Sequence, residues 1–187
     1  MASLAQALEN SNNWFANGEF FTKLSSLVNI VSDSKNSVSV EDLTSYYADG
    51  LSDILEELGL QTEIIDNPIK NGPPFLIGTR LESSELNTIL LYGHGDTVPL
   101  QEGQWFEGII PNELKIIDDK IYGRGVADNK GQHLINLLAL LSVLKIRKKL
   151  GFNLKIIFEM GEEIGSPGLF DLCEQYKDYF KSDVLIA

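Results

Sequence analysis

Two spacings of apolar residues alternate along the chain. Phe20, Phe21, Leu24, Leu27, Val28 and Val31 recur at three- and four-residue intervals, which predicts a helix over Glu19 to Val31 with one side against a core. Ser39 opens a second helix, with Asp42 three residues on as a capping-box variant. Leu43, Tyr46, Tyr47, Leu51, Ile54, Leu55 and Leu58 form its stripe until Gly59 stops it. Gln61 to Ile65, Phe75 to Arg80 and Thr88 to Tyr92 are short runs of strand composition, and the three prolines and one glycine within Asn67 to Pro74 make that segment a connection. Leu114 to Ile117 and Ile121 to Tyr122, joined by Asp118-Asp119, predict a hairpin. Leu134, Leu137, Leu138, Leu141 and Leu144 then mark a strongly apolar helix, ended by the basic patch Lys145 to Lys149, which suits the helix dipole. Asn153 to Phe158 reads as a buried strand, Pro167 opens a helix to about Tyr179, and Val184 to Ala187 begins one more strand. Strands alternating with helices predict an α/β fold, a three-layer sheet with helices on both faces.

The 187 residues suffice for one domain with a real core, and 43% hydrophobic with 22% charged residues is globular usage. A net charge of -12 repels phosphate, so neither nucleic acid nor an anionic membrane surface is expected as a partner. The single cysteine, Cys173, leaves no intrachain disulfide and points to a reducing, cytoplasmic setting. It sits in an amphipathic stretch and reads as core filler rather than a nucleophile. The N-terminus lacks the basic-then-apolar pattern of a signal peptide, and no apolar run is long enough to span a bilayer.

Three polar clusters each follow a strand or hairpin: His94 with Asp96, then Asp128, then Glu162 with Glu163. Glycines bracket His94, one of two histidines in the chain, where an apolar run stops. In open α/β sheets that is where sites form, beyond the carboxyl ends of the strands. Asp96 can accept a hydrogen bond from one imidazole nitrogen and leave the other for a metal. Taken singly, each cluster has a plainer reading: a loop histidine beside a turn aspartate, or a solvated Glu-Glu turn. Gly123 to Asp128 superficially matches a dinucleotide fingerprint but has aspartate where its last glycine is needed. His133, on the helix after Asp128, reads as a surface or packing residue. One histidine with several carboxylates suits zinc, cobalt or manganese, and a carboxylate shared between two ions would make a two-metal clamp for hydrolysis.

Together, His94-Gly95-Asp96-Thr97-Val98-Pro99, Tyr122 to Gly131 and Glu159 to Ser166 resemble the successive signatures of the di-zinc exopeptidase and aminoacylase family. That family includes acetylornithine deacetylase, succinyl-diaminopimelate desuccinylase, glutamate carboxypeptidase and carnosine dipeptidases, and the loop with Trp105 and Phe106 is similar to its Trp-containing segment. The resemblance implies that His94 binds one of two divalent metal ions, zinc first with cobalt or manganese as alternatives. Asp128 would bridge both ions and Glu163 would bind the other, with Asp96 orienting His94 and Glu162 as general base. It also implies a cis peptide after Asp128. The implied activity is metal-dependent hydrolysis of amide bonds in dipeptides or N-acyl amino acids, the dipeptidase branch being slightly the closer.

The family's carboxylate after Val184 to Ala187, its C-terminal histidine ligand and its lid or dimerisation domain have no counterpart here. The resemblance therefore makes residues 1–187 the N-terminal part of a metallopeptidase catalytic domain. The parent is expected to dimerise through the lid, while the piece itself is expected to be inactive. The alternative is a non-catalytic binding or scaffold module that retains the fold.

Overall fold

The computed structural model describes residues 4–35 and 39–187. Five strands form a mixed sheet: β1 (Gln61–Ile65), β2 (Phe75–Arg80), β3 (Thr88–His94), β6 (Asn153–Glu159) and β7 (Val184–Ile186), ordered β1-β2-β6-β3-β7. The first two pairings, β1 with β2 and β2 with β6, are antiparallel, whereas β3 runs parallel to both β6 and β7. A separate hairpin joins β4 (Lys115–Ile117) and β5 (Lys120–Tyr122).

Alternation along β6 divides the core. Leu154, Ile156 and Phe158 face a large cluster with Leu91 of β3, the helices α1 (Leu4–Ala16), α2 (Glu19–Asn29), α3 (Val40–Ser45) and α4 (Ser52–Glu57), and α5 (Lys130–Arg147). Ile157 faces the other way, with Phe75, Ile77 and Leu90, toward α6 (Leu169–Gln175). Both sheet faces thus carry helices, the expected three layers, although one face carries five and the other only α6 among the described residues.

Where boundaries differ from the sequence reading, local chemistry explains why. The Ser39 capping box forms: Ser39 Oγ accepts from the Asp42 amide at 3.1 Å and Asp42 Oδ2 accepts from the Ser39 amide at 3.1 Å. The helix it opens is not continuous, because residues Tyr46–Leu51 form a π turn between α3 and α4. The widened turn directs both Tyr46 and Tyr47 inward, where they are fully buried. Gly59, at φ 68, ends the helix as expected. The first predicted helix stops at Asn29 rather than Val31, and α6 spans Leu169–Gln175 rather than 167–179, since Gly168 at φ 83 breaks the turn begun at Pro167. Helix α1 was not predicted. Its stripe is thin, with only Ala7 and Trp14 buried, and it is held by tertiary contacts: Trp14 Nε1 donates to Ser142 Oγ at 2.9 Å and Lys145 Nζ lies 4.3 Å from the Trp14 ring centroid. The described helices include none long and apolar enough to cross a membrane.

Candidate metal centre

The parallel pairing of β3 with β6 puts His94 opposite Glu159 at the carboxyl ends of neighbouring strands. His94 is the last residue of β3, which runs two residues beyond the predicted Tyr92. Its imidazole is nearly enclosed. Nδ1 faces Asp96, 3.2 Å from the backbone oxygen and 3.3 Å from Oδ1, and Nε2 lies 3.0 Å from Asp128 Oδ1 and 4.0 Å from Glu162 Oε2. Burial alone would lower the imidazole pKa. The hydrogen bond to Asp96 and the charges of Asp96, Glu162 and Asp128 outweigh it and raise the pKa to about 9.

Asp96 does more than face the imidazole. Its carboxylate, 0% exposed, accepts the Glu162 amide on Oδ1 and the Glu163 amide on Oδ2, each at 3.1 Å. Those amides open a single 3-10 turn, Glu162–Ile164, framed by Gly161 and Gly165. A turn start presents unsatisfied N–H groups, so a buried carboxylate is the natural acceptor. Glu162 and Glu163 therefore reach the site from the end of β6. Burial, then the like charges of Asp128 and Glu162, raise the Glu163 carboxyl above its ordinary range.

Asp128 arrives from the loop before α5, and the Asp128–Asn129 peptide is cis, as the resemblance implied. Asn129 Oδ1 accepts from the His94 amide at 3.4 Å and lies 3.1 Å from His133 Nδ1. His133 is fully buried, with Nε2 2.6 Å from the Tyr46 hydroxyl. Because Asn129 Oδ1 can only accept, Nδ1 carries the imidazole proton and Tyr46 donates to Nε2. Of its two expected roles His133 takes packing. Lys130, also buried, donates from Nζ to the Leu27 and Ile30 carbonyls at 2.9 and 2.7 Å, capping the end of α2. Nothing in its spacing signals that contact. Cys173, partly buried, has its thiol pKa pushed up by burial, which disfavours a nucleophile.

The structure thus brings together His94, Asp96, Asp128 and Glu162, with Glu163 on the same turn. The donor chemistry fits a divalent ion, since Nε2 of His94 is flanked by two carboxylates. Among the described residues, however, no group of three or more His, Cys, Asp or Glu side chains is spaced to hold an ion without rearrangement.

A family model described as peptidase family M20/M25/M40 matches residues 90–187. The chain is 35% identical to Beta-Ala-His dipeptidase of Mus musculus over 142 residues, 71% of this chain and 28% of that protein. It is 36% identical to Cysteinylglycine-S-conjugate dipeptidase of Corynebacterium striatum over 133 residues, 70% of this chain and 28% of the relative. The crystal structure of human carnosine dipeptidase 1 superposes with a TM-score of 0.82 at 30% identity, covering 96% of this chain and 40% of that one. The chain therefore spans little more than a quarter of the two curated relatives' length, and on the family match over its second half it belongs to peptidase family M20/M25/M40.

Proposed function

We propose that the protein carrying this segment hydrolyses amide bonds in dipeptides or N-acyl amino acids, with His94, Asp128 and Glu163 holding two divalent ions, zinc in the first instance. In this reading residues 1–187 are the N-terminal part of the catalytic domain, and the reducing setting implied by a lone Cys173 is the cytoplasm. The single observation that carries the reading is the meeting of three separate motifs: the His94–Asp96 pair at 3.3 Å, with Asp128 of the second motif at 3.0 Å and Glu162 of the third at 4.0 Å from the imidazole. The dipeptide class is supported by the relatives, a Beta-Ala-His dipeptidase and a Cysteinylglycine-S-conjugate dipeptidase.

Asp128, between His94 and the Glu162–Glu163 turn, is the carboxylate suited to bridging. Held by His94, Asp128 and Glu163, divalent ions would supply Lewis acidity toward an amide carbonyl and would acidify nearby water. Glu162, about half-exposed at the mouth of the site, accepts a proton from the attacking water and returns it to the leaving amine. Asp96 keeps the His94 proton on Nδ1 and leaves Nε2 as a metal donor.

Glu162→Gln in the full-length protein is the test. It should remove most of the turnover, by about 100-fold or more, while metal stays bound, because Glu162 moves a proton and holds no ion. Near-normal turnover would sink the assignment. One observation favours the non-catalytic alternative: although these side chains meet, among the described residues no group of three or more is spaced to hold an ion as it stands. We accordingly propose that the 187-residue chain alone is catalytically silent and binds zinc weakly, since each ion would have two protein ligands where stable sites use three or four. Two tight zinc ions per chain by calorimetry would refute this.

A further inference from the structure

Glu159 closes β6 as a carboxylate in an otherwise apolar stretch, after Ile156, Ile157 and Phe158. Alternation places it with Ile157 on the α6 side of the sheet, and its residue is 1% exposed. Burying a carboxylate is costly unless its oxygens are hydrogen-bonded, and here only one is. Oε1 accepts the Tyr92 hydroxyl at 2.6 Å and the Ser166 hydroxyl at 2.9 Å, whereas Oε2 has no partner. An isoleucine or leucine would fill the position without that burden, so packing alone does not account for the acid.

The single oxygen joins three pieces of chain that the proposed site needs in register. Tyr92 stands on β3 two residues before His94, Glu159 ends β6, and Ser166 is the exit of the turn that carries Glu162 and Glu163. Ser166 sits at φ 52, in the left-handed region that non-glycine residues seldom adopt, and its amide donates to the Gly161 carbonyl at 2.8 Å. The turn is thus gripped at both ends by buried carboxylates: at its start by Asp96, through the amides of Glu162 and Glu163, and at its exit by Glu159, through the Ser166 hydroxyl.

We propose that Glu159 is a positioning residue, whose Oε1, by accepting from both Ser166 and Tyr92, fixes the Glu162–Glu163 turn relative to the strand that ends in His94. The inference rests on the metal-centre reading for its consequence, but not for the geometry it concerns.

The experiment follows the backbone amide resonances of Glu162 and Glu163 in the 187-residue chain, first without metal and then as zinc is added. Glu159→Leu removes the acceptor, Ser166→Ala removes one of its two partners, and Glu159→Gln retains an oxygen at the Oε1 position. We expect Glu159→Leu and Ser166→Ala to shift both amides in the metal-free chain and to weaken zinc binding by about 10-fold or more, the usual effect of losing a group that orients a ligand. Glu159→Gln should return both readouts most of the way to wild type. Unchanged amides and unchanged affinity in both Glu159→Leu and Ser166→Ala would overturn the proposal, as would a Glu159→Gln variant no better than Glu159→Leu. If Glu159→Leu does not fold, Ser166→Ala decides alone. If the amides move as expected but neither the wild-type chain nor the full-length protein takes up zinc, the positioning role stands and the metal reading is what fails.

Discussion

Asp96→Asn is a near-isosteric change with a cost that can be worked out atom by atom. The carboxylate receives the Glu162 amide on Oδ1, the Glu163 amide on Oδ2 and faces His94 Nδ1 from Oδ1 at 3.3 Å, with no exposure to water. An asparagine has one acceptor oxygen and one NH2 donor. Its better orientation keeps the oxygen at the Oδ1 position, serving Glu162 and His94, and points the NH2 at the Glu163 N–H. One charge-assisted hydrogen bond is lost, a donor faces a donor, and the remaining bonds lose their charge. Hydrogen bonds to charged groups contribute about 1.5–3 kcal/mol, so the variant should be destabilised by about 2 kcal/mol or somewhat more. For a chain of this size that is a fall in Tm of roughly 4–8 °C. Thermal unfolding of the metal-free chain followed by circular dichroism measures it, and amide hydrogen exchange locates it, with Glu163 losing protection and Glu162 keeping most of its own. A Tm within about 1 °C of wild type, with Glu163 protection intact, would mean that the 3.1 Å contacts do not hold the turn.

His133 supplies a pH dependence. Burial first, then the neighbouring His94 and Lys130 charges, press its pKa down to about 3, so the folded chain keeps it neutral while the unfolded chain protonates it near 6.5. Its contribution to stability is intact above pH 6.5 and is lost as pH falls toward 3, by up to about 1.4 kcal/mol per unit, and His133→Gln should flatten that limb in denaturant titrations at pH 7, 6 and 5. Gly131→Ala should be severe, because a Cβ there would lie 1.9 Å from the Val126 backbone oxygen and force apart the loop that carries Asp128; a variant as stable as wild type would contradict this close approach. The chain should also self-associate, since Val184, Leu185 and Ile186 are exposed on the edge strand β7 and apolar cavities of about 250 and 320 Å3 open on either side of it. Its charge of -12 opposes contact at low salt, so sedimentation across a salt series should show association growing as charge is screened, and a monomer at every concentration and salt would refute this.

What could be read from the sequence were the features written in local spacing. The strand runs Thr88 to Tyr92 and Asn153 to Phe158, which the structure extends to His94 and Glu159, and the helix after Asp128 follow from apolar periodicity, and the three motifs they deliver do meet. The π turn at Tyr46–Leu51 could not be read, because a continuous three-and-four pattern accommodates an extra residue without changing its stripe. Nor could α1, whose Trp14 is held by Ser142 and Lys145, residues 128 or more positions away. Lys130 looked like a motif lysine and proved to be the cap of a helix 100 residues earlier. Glu159 opens the third motif without an expected role; its parity on β6, an acid on an inward-facing position, was the available signal.

The parallel neighbours β3 and β6 are joined through α5, so the Tyr92–Glu159 contact closes a span of 67 residues. Order in the chain then dictates order in time. Contacts of such separation form late, after the loop entropy of the intervening chain has been overcome. His94 and the Glu162–Glu163 turn cannot be in register before that step, however early each strand begins to form. A pair of ions sharing Asp128, one held by His94 and the other by Glu163, would report on the arrival of the native topology itself, so uptake of the second zinc during refolding should lag behind helix formation and coincide with the last cooperative phase.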